Sequence, residues 1–243
     1  MDLTRFLTMD EVLHVITDMR RRAFYIIKPV PRHKSHVLNL AIFRLSCCCG
    51  LRRTEMSLLR LRDVILAGPR PCIRVRAETT KGRRAVVDGN GTTISKDKRR
   101  ARLVPLWWDL GTLEDLRAWT EYRKTLPGTD GGPCGPDSRF LAGTDQRSIG
   151  GQVSARHIAA RWKTALRCLG PERRRQLSVH CGRRTFASLS LAGGRGLVEV
   201  KEALGHTNIS TTSLYLGLVE RDNVPDIFRG KDPVVISIAD QGG

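Results

Sequence analysis

The chain has 243 residues, of which 40% are hydrophobic and 27% are charged. That length suffices for a buried core, and that balance excludes a chain that is disordered by composition. The formal net charge of +18, from 42 Lys and Arg against 24 Asp and Glu, predicts attraction to a polyanion such as nucleic acid.

The seven cysteines include the run Cys47-Cys48-Cys49 and no C-x-x-C pair. This pattern argues against both a disulfide scaffold and a zinc site. The first residues lack the pattern of a secretion signal, and no apolar run approaches the ~18 residues of a membrane helix. We therefore expect a cytoplasmic protein with no metal, no cofactor and no membrane partner.

Helices are predicted at the start of the chain. Thr8 or Asp10 can cap the first helix, whose apolar residues recur at helical spacing. A second helix is predicted from about Ser35 to Cys49 and ends at Gly50, because glycine commonly terminates helices. A third helix follows, with Arg52 in its first turn.

The pattern changes to short β-branched runs between Asp63 and Leu106. These runs are Val64-Ile65, Ile73-Arg74-Val75, Val86-Val87 and Leu103-Val104. The segment Asp88-Gly89-Asn90-Gly91 is typical of a hairpin turn. The region therefore predicts a small, basic, antiparallel sheet.

The rest of the chain is again predicted to be helical. A helix from Asp109 to about Lys124 is followed by the Gly/Pro-rich loop 127–136 and by a helix from about Val153 to Leu169. Further helices begin after Ser178, at Leu197 and after Ser210. The predicted fold class is thus mainly α with a small antiparallel β-sheet (α+β).

His180 and Arg183 are a possible phosphate-binding pair. Residues three apart share one face of a helix, so both side chains can address the same phosphate. Taken alone, a pair of charged residues at this spacing more often belongs to a solvated face.

Three other segments change that interpretation. The first, far upstream, is Gly50-Leu51-Arg52-Arg53-Thr54-Glu55. The second, at the end of the predicted sheet, is Arg102-Leu103-Val104-Pro105-Leu106. The third is Leu204-Gly205-His206, in which His206 lies nine positions before Tyr215. Together with His180-x-x-Arg183, these segments resemble the tyrosine recombinase (phage integrase) family in both order and spacing. The resemblance spans about residues 8–215 and implies the catalytic-domain fold of that family.

The resemblance implies a role for each matching residue. Arg52 and Arg183 correspond to the paired arginines on the scissile phosphate, His206 to a hydrogen-bond donor to it, and Tyr215 to the nucleophile. His180 corresponds to the proton-transfer residue. Glu55 corresponds to the carboxylate that orients the arginine. The candidates for contacts to DNA are Arg53, Lys98, Arg99, Arg100, Arg102 and Arg184.

The family's catalytic lysine has several candidates in this sequence. Lys96 precedes the Val-Pro-Leu segment at about the family distance, and Lys98 and Lys81 compete with it because the hairpin region is longer than usual. A second departure is Gly182, between His180 and Arg183, where family members carry a bulky apolar residue. A glycine inside a helix costs about 1 kcal/mol relative to alanine, which leaves the pose of Arg183 open.

The implied activity is site-specific DNA recombination through a 3′-phosphotyrosyl intermediate. The alternatives are a type IB topoisomerase-like relaxing enzyme and a non-catalytic DNA-binding protein of the same fold. We expect residues 1–243 to form a single catalytic domain, with a family-like core at about 8–217, a tail at 218–243 and no N-terminal DNA-clamping domain. The expected partners are double-stranded DNA, other subunits in a homotetramer on two DNA sites, and an accessory protein that supplies the clamp.

Overall fold

A computed structural model describes residues 6–24, 32–79, 83–87, 93–97, 101–107, 111–206, 208 and 210–213, with the backbone alone at 24, 32–33, 83–87, 93–97 and 211. The α-helices of these residues are α1 (Met9–Phe24), α2 (Arg32–Phe43), α3 (Arg53–Leu58), α4 (Thr112–Lys124), α5 (Ala155–Ala165), α6 (Gly170–Gln176), α7 (Val179–Ala192), α8 (Leu197–Leu204) and α9 (Ser210–Ser213). The strands are β1 (Val64–Ile65), β2 (Cys72–Val75), β3 (Arg83–Val87), β4 (Thr93–Asp97) and β5 (Arg102–Pro105). None of these helices has the length and apolar character needed to cross a membrane.

The strands form two separate antiparallel units. Strands β1, β2 and β5 make a three-stranded sheet with β2 in the centre, and β3 pairs with β4 as a two-stranded ribbon. The prediction of a mainly helical fold with a small antiparallel sheet is confirmed. Strand β4 was not predicted, because its two β-branched residues, Thr93 and Ile94, are followed by three polar residues. The predicted turn at 88–91 lies outside the described residues.

The ends of the first helices follow from local capping. The amide of Glu11 donates to Thr8 Oγ1 at 3.2 Å, and the amide of Thr8 donates to Glu11 Oε2 at 2.9 Å. This reciprocal pair makes Thr8 the cap of α1. Helix α2 widens into a π-helical turn, Arg44–Cys48, and Gly50 then adopts the left-handed conformation at φ 64°.

The helix predicted up to Leu169 is shorter than expected. Its regular part, α5, ends at Ala165 and tightens into a 3₁₀ turn, Leu166–Leu169. Helix α6 follows and was not predicted. It has no buried residue, so its sequence shows no apolar periodicity.

The core is centred on α2 and the π-helical turn. The rings of Phe43 and Trp162 stack with centroids 6.5 Å apart, and both side chains are fully buried. Arg44 is also fully buried, and its Nη2 lies 2.6 Å from Asp115 Oδ2. A buried guanidinium needs such a partner, because removal from water would otherwise cost several kcal/mol. This ion pair joins the π-helical turn to α4.

Candidate active site

Arg52 lies directly before α3, where the chain enters the helix in an extended conformation. The amide of Arg52 donates to Glu55 Oε2, and its Nη1 donates to Glu55 Oε1, both at 2.8 Å. Both contacts bind one carboxylate, so the backbone and the side chain of Arg52 are positioned together. The structure thus makes Arg52 the N-cap of α3. The sequence had predicted it in the first turn of that helix.

Glu55 is a buried anion surrounded by arginines. Its side chain is 1% exposed. Burial alone would raise the pKa of this carboxyl, but the hydrogen bonds and charge of Arg102, then the charges of Arg52 and Arg183, lower it to about 2. Glu55 is therefore ionised at neutral pH and holds three guanidinium groups near one point.

Arg102 was predicted to contact DNA, and the structure places it differently. Its Nη1 and Nη2 donate to the two oxygens of Glu55 at 3.0 and 2.8 Å, and its side chain is 7% exposed. Its Nε donates to the carbonyl of Ala203 at 2.7 Å. The alternation of β5 explains this direction, since Arg102 shares a face with the buried Val104, whereas Leu103 on the other face is 57% exposed. That alternation was the sequence signal that could have indicated an inward Arg102.

Arg183 projects from α7 and is 8% exposed. Its Nη1 donates to the carbonyl of Gly50 at 2.6 Å, and its Nη2 donates to the carbonyl of Leu204. Arg183 thus joins the turn before α3 to the last residue of α8. The turn at Gly50 packs closely against α7, since a Cβ at Gly50 would lie 2.6 Å from Cδ1 of Phe186. A glycine is therefore needed for α7 to come close enough for Arg183 to reach this turn.

His206 follows Gly205, whose left-handed conformation at φ 64° ends α8. Nδ1 of His206 lies 2.9 Å from Oγ1 of Thr212 on α9. Burial lowers the pKa of His206, and the charges of Arg183, Arg52 and Arg102 lower it further, to about 4, against the opposing effect of Glu55. The imidazole is therefore neutral near pH 7. No sequence motif had indicated Thr212 as its partner.

Most of the predicted site residues whose side chains the structure describes meet at one open cleft of about 280 Å³, whereas Glu55 and Arg102 lie behind it without lining it. The cleft is lined by Arg52, Arg53, Thr54, His180, Arg183, Arg184 and His206. His180 is exposed at the second position of α7, and Arg53 is exposed at the first position of α3. Segments distant in the sequence thus contribute arginine and histidine side chains to a single surface.

The packing of α7 is decided by Gly182, between His180 and Arg183. A Cβ at Gly182 would lie 2.1 Å from Oγ of Ser46 and 3.0 Å from Sγ of Cys47. The hydroxyl of Ser46 also donates to the carbonyl of Val179 at 3.3 Å. Because α7 approaches the π-helical turn this closely, the glycine is a packing requirement and not only a helix defect.

Several predicted site residues lie outside what the structure describes. They are Tyr215, Lys81, Lys98, Arg99 and Arg100. Lys96 belongs to β4, where it pairs with Arg84, and its side chain is not described. The roles of these residues therefore stay predictions.

The chemical capacity of the cleft is that of an anion site. Planar guanidiniums and neutral imidazoles donate hydrogen bonds to phosphate oxygens, and two arginines stabilise charge that develops on those oxygens during attack. Among the described residues, no three His, Cys, Asp or Glu side chains lie together as metal ligands would. The cleft therefore fits a phosphodiester held by donors.

Comparison with known proteins gives the following matches. Residues 5–221 match the phage integrase family. Tyrosine recombinase XerC of Shewanella amazonensis is 26% identical over 197 residues, covering 79% of this chain and 53% of the relative. XerC of Myxococcus xanthus is 30% identical over 176 residues, covering 72% of this chain and 48% of the relative. This chain thus spans about half the length of the curated relatives it matches.

Among solved structures, the chain is similar in fold to XerH site-specific recombinase bound to difH substrate in a pre-cleavage complex. The TM-score is 0.60 at 19% identity, and the alignment covers 88% of this chain and 51% of the other. At that identity the likeness concerns the fold alone. It adds an independent comparison to the sequence matches.

Proposed function

Because the chain belongs to the phage integrase family, we propose that it is a site-specific DNA recombinase that cleaves and rejoins DNA through Tyr215. The observation that carries the proposal is the single cleft lined by Arg52, Arg183 and His206, which come from three separate segments. Double-stranded DNA is the proposed substrate. Assembly as a homotetramer on two DNA sites, and an accessory protein supplying a clamp, belong to the same proposal.

The proposed chemistry begins with attack of the Tyr215 phenol oxygen on phosphorus. A bond forms between them, the bond to the 5′ oxygen breaks, and the phenol proton passes to a base, for which His180 is the candidate. Arg52, Arg183 and His206 stabilise the negative charge that develops on the nonbridging oxygens. A lysine, with Lys96 preferred to Lys98 and Lys81, protonates the leaving 5′ oxygen.

The product is a 3′-phosphotyrosyl link and a free 5′ hydroxyl. One phosphoester replaces another, so a second 5′ hydroxyl can reverse the step and join a new strand without an external energy source. The neutral state of His206 suits this scheme, because a neutral imidazole donates through one nitrogen while the other contacts Thr212.

Covalent trapping tests the proposal even when the DNA target sequence is not specified in advance. A pool of nicked duplexes with a randomised centre is incubated with the chain, the mixture is denatured, and protein-linked DNA is captured and sequenced. We expect enriched duplexes with the wild-type chain and none with Tyr215→Phe. Failure of the wild-type chain to form any adduct would contradict the proposal.

Tyr122→Phe is the matched control. It makes the same chemical change on α4, where the buried Tyr122 hydroxyl has no hydrogen-bond partner among the described residues, so we expect unchanged adduct formation. The enriched duplex is then placed in a supercoiled plasmid. Recombinant products support the proposal, whereas relaxed plasmid without recombinants favours the topoisomerase-like alternative.

A further inference from the structure

The contacts of Arg102 are unusual for a residue of a basic DNA-binding surface. Its guanidinium binds both oxygens of Glu55 and the carbonyl of Ala203, so three of its donors have protein acceptors. Glu55 in turn binds the amide and Nη1 of Arg52. We infer that Arg102 is a positioning residue, which fixes Glu55, and through it Arg52, to the end of α8 that presents His206.

This inference rests on the proposed function, since a positioning role has meaning only if the cleft performs the cleavage. It also replaces the predicted DNA contact. The Arg102 side chain is 7% exposed, and Arg102 does not line the cleft that holds Arg52 and Arg183. Its Nε, Nη1 and Nη2 already donate to Ala203 and Glu55, which leaves fewer donors for a phosphate.

The end of α8 is built against Arg102. A Cβ at Gly205 would lie 3.0 Å from Cδ of Arg102 and 3.2 Å from its Nη1. Together with the hydrogen bond to Ala203, this contact fixes the turn from which His206 projects. Arg102 thus contacts both the carboxylate that orients Arg52 and the backbone that positions His206.

The sheet provides a rigid base for these contacts. Arg102 is the first residue of β5 and pairs with Val75 of β2, the central strand. Strand β5 also follows β4, the strand that carries Lys96, in the chain. A displacement at Arg102 would therefore affect both Glu55, which binds Arg52, and the turn that carries His206.

Loss of the Arg102 guanidinium should slow the cleavage step more than it weakens DNA binding. Glu55 would keep only Arg52 as a hydrogen-bonded guanidinium, and the Ala203 carbonyl would lose its donor. Arg52 and His206 can then shift relative to the phosphate. A shift of about 1 Å at a reacting centre costs about 100-fold in rate.

The test compares Arg102→Met and Arg102→Lys in the full chain, on the duplex enriched by covalent trapping. We measure the single-turnover rate of adduct formation at saturating protein, and separately the Kd for the duplex and its salt dependence. We expect Arg102→Met to be about 100-fold slower, with Kd and salt slope unchanged. Arg102→Lys should recover part of the rate, because one ammonium replaces only part of a planar fork.

Two control variants calibrate these measurements. Arg53→Met removes an exposed arginine of the cleft and should lower the salt slope by about one. Arg117→Met makes the same change on α4, where an exposed Arg117 donates to the Leu66 carbonyl at 2.8 Å, and should leave both quantities unchanged. A rate like that of the wild type, with a weaker Kd and a lower slope, would show that Arg102 is a phosphate contact and overturn the inference.

The dependence on Glu55 is tested by a double-mutant cycle with Glu55→Gln. If Arg102 acts largely through Glu55, the loss of rate in the double variant should be smaller than the product of the two single losses. Losses that multiply would overturn the inference. Should Arg102→Met fail to fold, Arg102→Lys decides: a rate below that of the wild type at an unchanged melting temperature supports the inference, because one ammonium cannot replace a planar guanidinium, and a wild-type rate overturns it.

The wild-type chain separates this inference from the proposed function. If it forms no adduct on any duplex, the proposed function fails. If it forms the adduct and both Arg102 variants react as fast as it does, only the positioning role fails.

Discussion

At the scale of single residues, the surroundings of the cleft move the pKa values of two ionisable groups away from their ordinary values. Burial, and then the surrounding arginines, lower the pKa of His206 to about 4, while Glu55 remains ionised with a pKa of about 2. The same positive charges cause both effects, because they disfavour an imidazolium and favour a carboxylate. His206 can therefore contribute a hydrogen-bond donor to the cleft without adding a positive charge.

The protonation of His206 gives a direct prediction. We expect its imidazole resonances, assigned by comparison with His206→Gln, to titrate near pH 4 and not near the ordinary value of 6.5. The pKa of the folded state is then below that of the unfolded state. His206 therefore contributes stability that is fully present above about pH 6.5 and is lost as the pH falls toward 4. A titration midpoint near 6.5 would contradict the charge arrangement described for the cleft.

At the scale of elements, the approach of α7 to the π-helical turn decides where His180 and Arg183 project. Gly182 permits that approach, since a Cβ there would meet Ser46 at 2.1 Å. The sequence pattern had marked this glycine as a departure that left the pose of Arg183 open. In the structure it allows α7 to lie deep enough for Arg183 to reach the carbonyls of Gly50 and Leu204.

Gly182→Ala measures this requirement. Helix propensity alone would stabilise the variant by about 1 kcal/mol, but overpacking of a tight contact costs about 1–3 kcal/mol. We expect the clash to dominate, so the variant should unfold at lower urea concentration and form the DNA adduct more slowly. Equilibrium unfolding and the trapping assay are the measurements.

The control for that variant is Gly135→Ala, because no atom of the residues that the structure describes lies within 4 Å of a Cβ at Gly135. The Ser46→Ala background removes the hydroxyl that the new methyl group would meet. We expect Gly182→Ala to cost less stability in that background than in the wild-type chain. Equal costs in both backgrounds would mean that the contact with Ser46 does not determine the packing of α7.

At the scale of the whole molecule, the net charge of +18 combines with a cleft lined by arginines to favour phosphate-dominated binding. Each phosphate contact releases condensed counterions, so affinity falls as salt rises. An arginine that binds a carboxylate inside the core does not contribute in this way. Arg44, for example, is fully buried against Asp115 within the core.

Salt dependence tests the phosphate-dominated mode. We expect weak duplex binding by this chain, with a loss of affinity of about 10³–10⁵ between 50 and 200 mM salt if six to ten phosphates are contacted. Fluorescence anisotropy with a labelled duplex of random sequence measures this slope. Tight binding that hardly responds to salt would instead indicate direct contacts to the bases.

Much of the fold could be predicted because its signals are local. Thr8 or Asp10 marked the start of α1, and Gly50 marked the end of the helix before Arg52. Caps and glycine stops act over a few residues, so they can be recognised in one dimension. Helix α6 could not be predicted in this way, since no face of it is buried.

The candidate residues of the cleft can be recognised from the sequence, because the order and spacing of Arg52, His180, Arg183 and His206 are properties of the chain. The groups that surround them follow from how distant segments pack together. The inward turn of Arg102 onto Glu55, and the lowered pKa of His206, depend on neighbours that are remote in sequence and on burial from water. Electrostatic interactions act through space and strengthen as water is excluded, so they are determined only when the segments pack together.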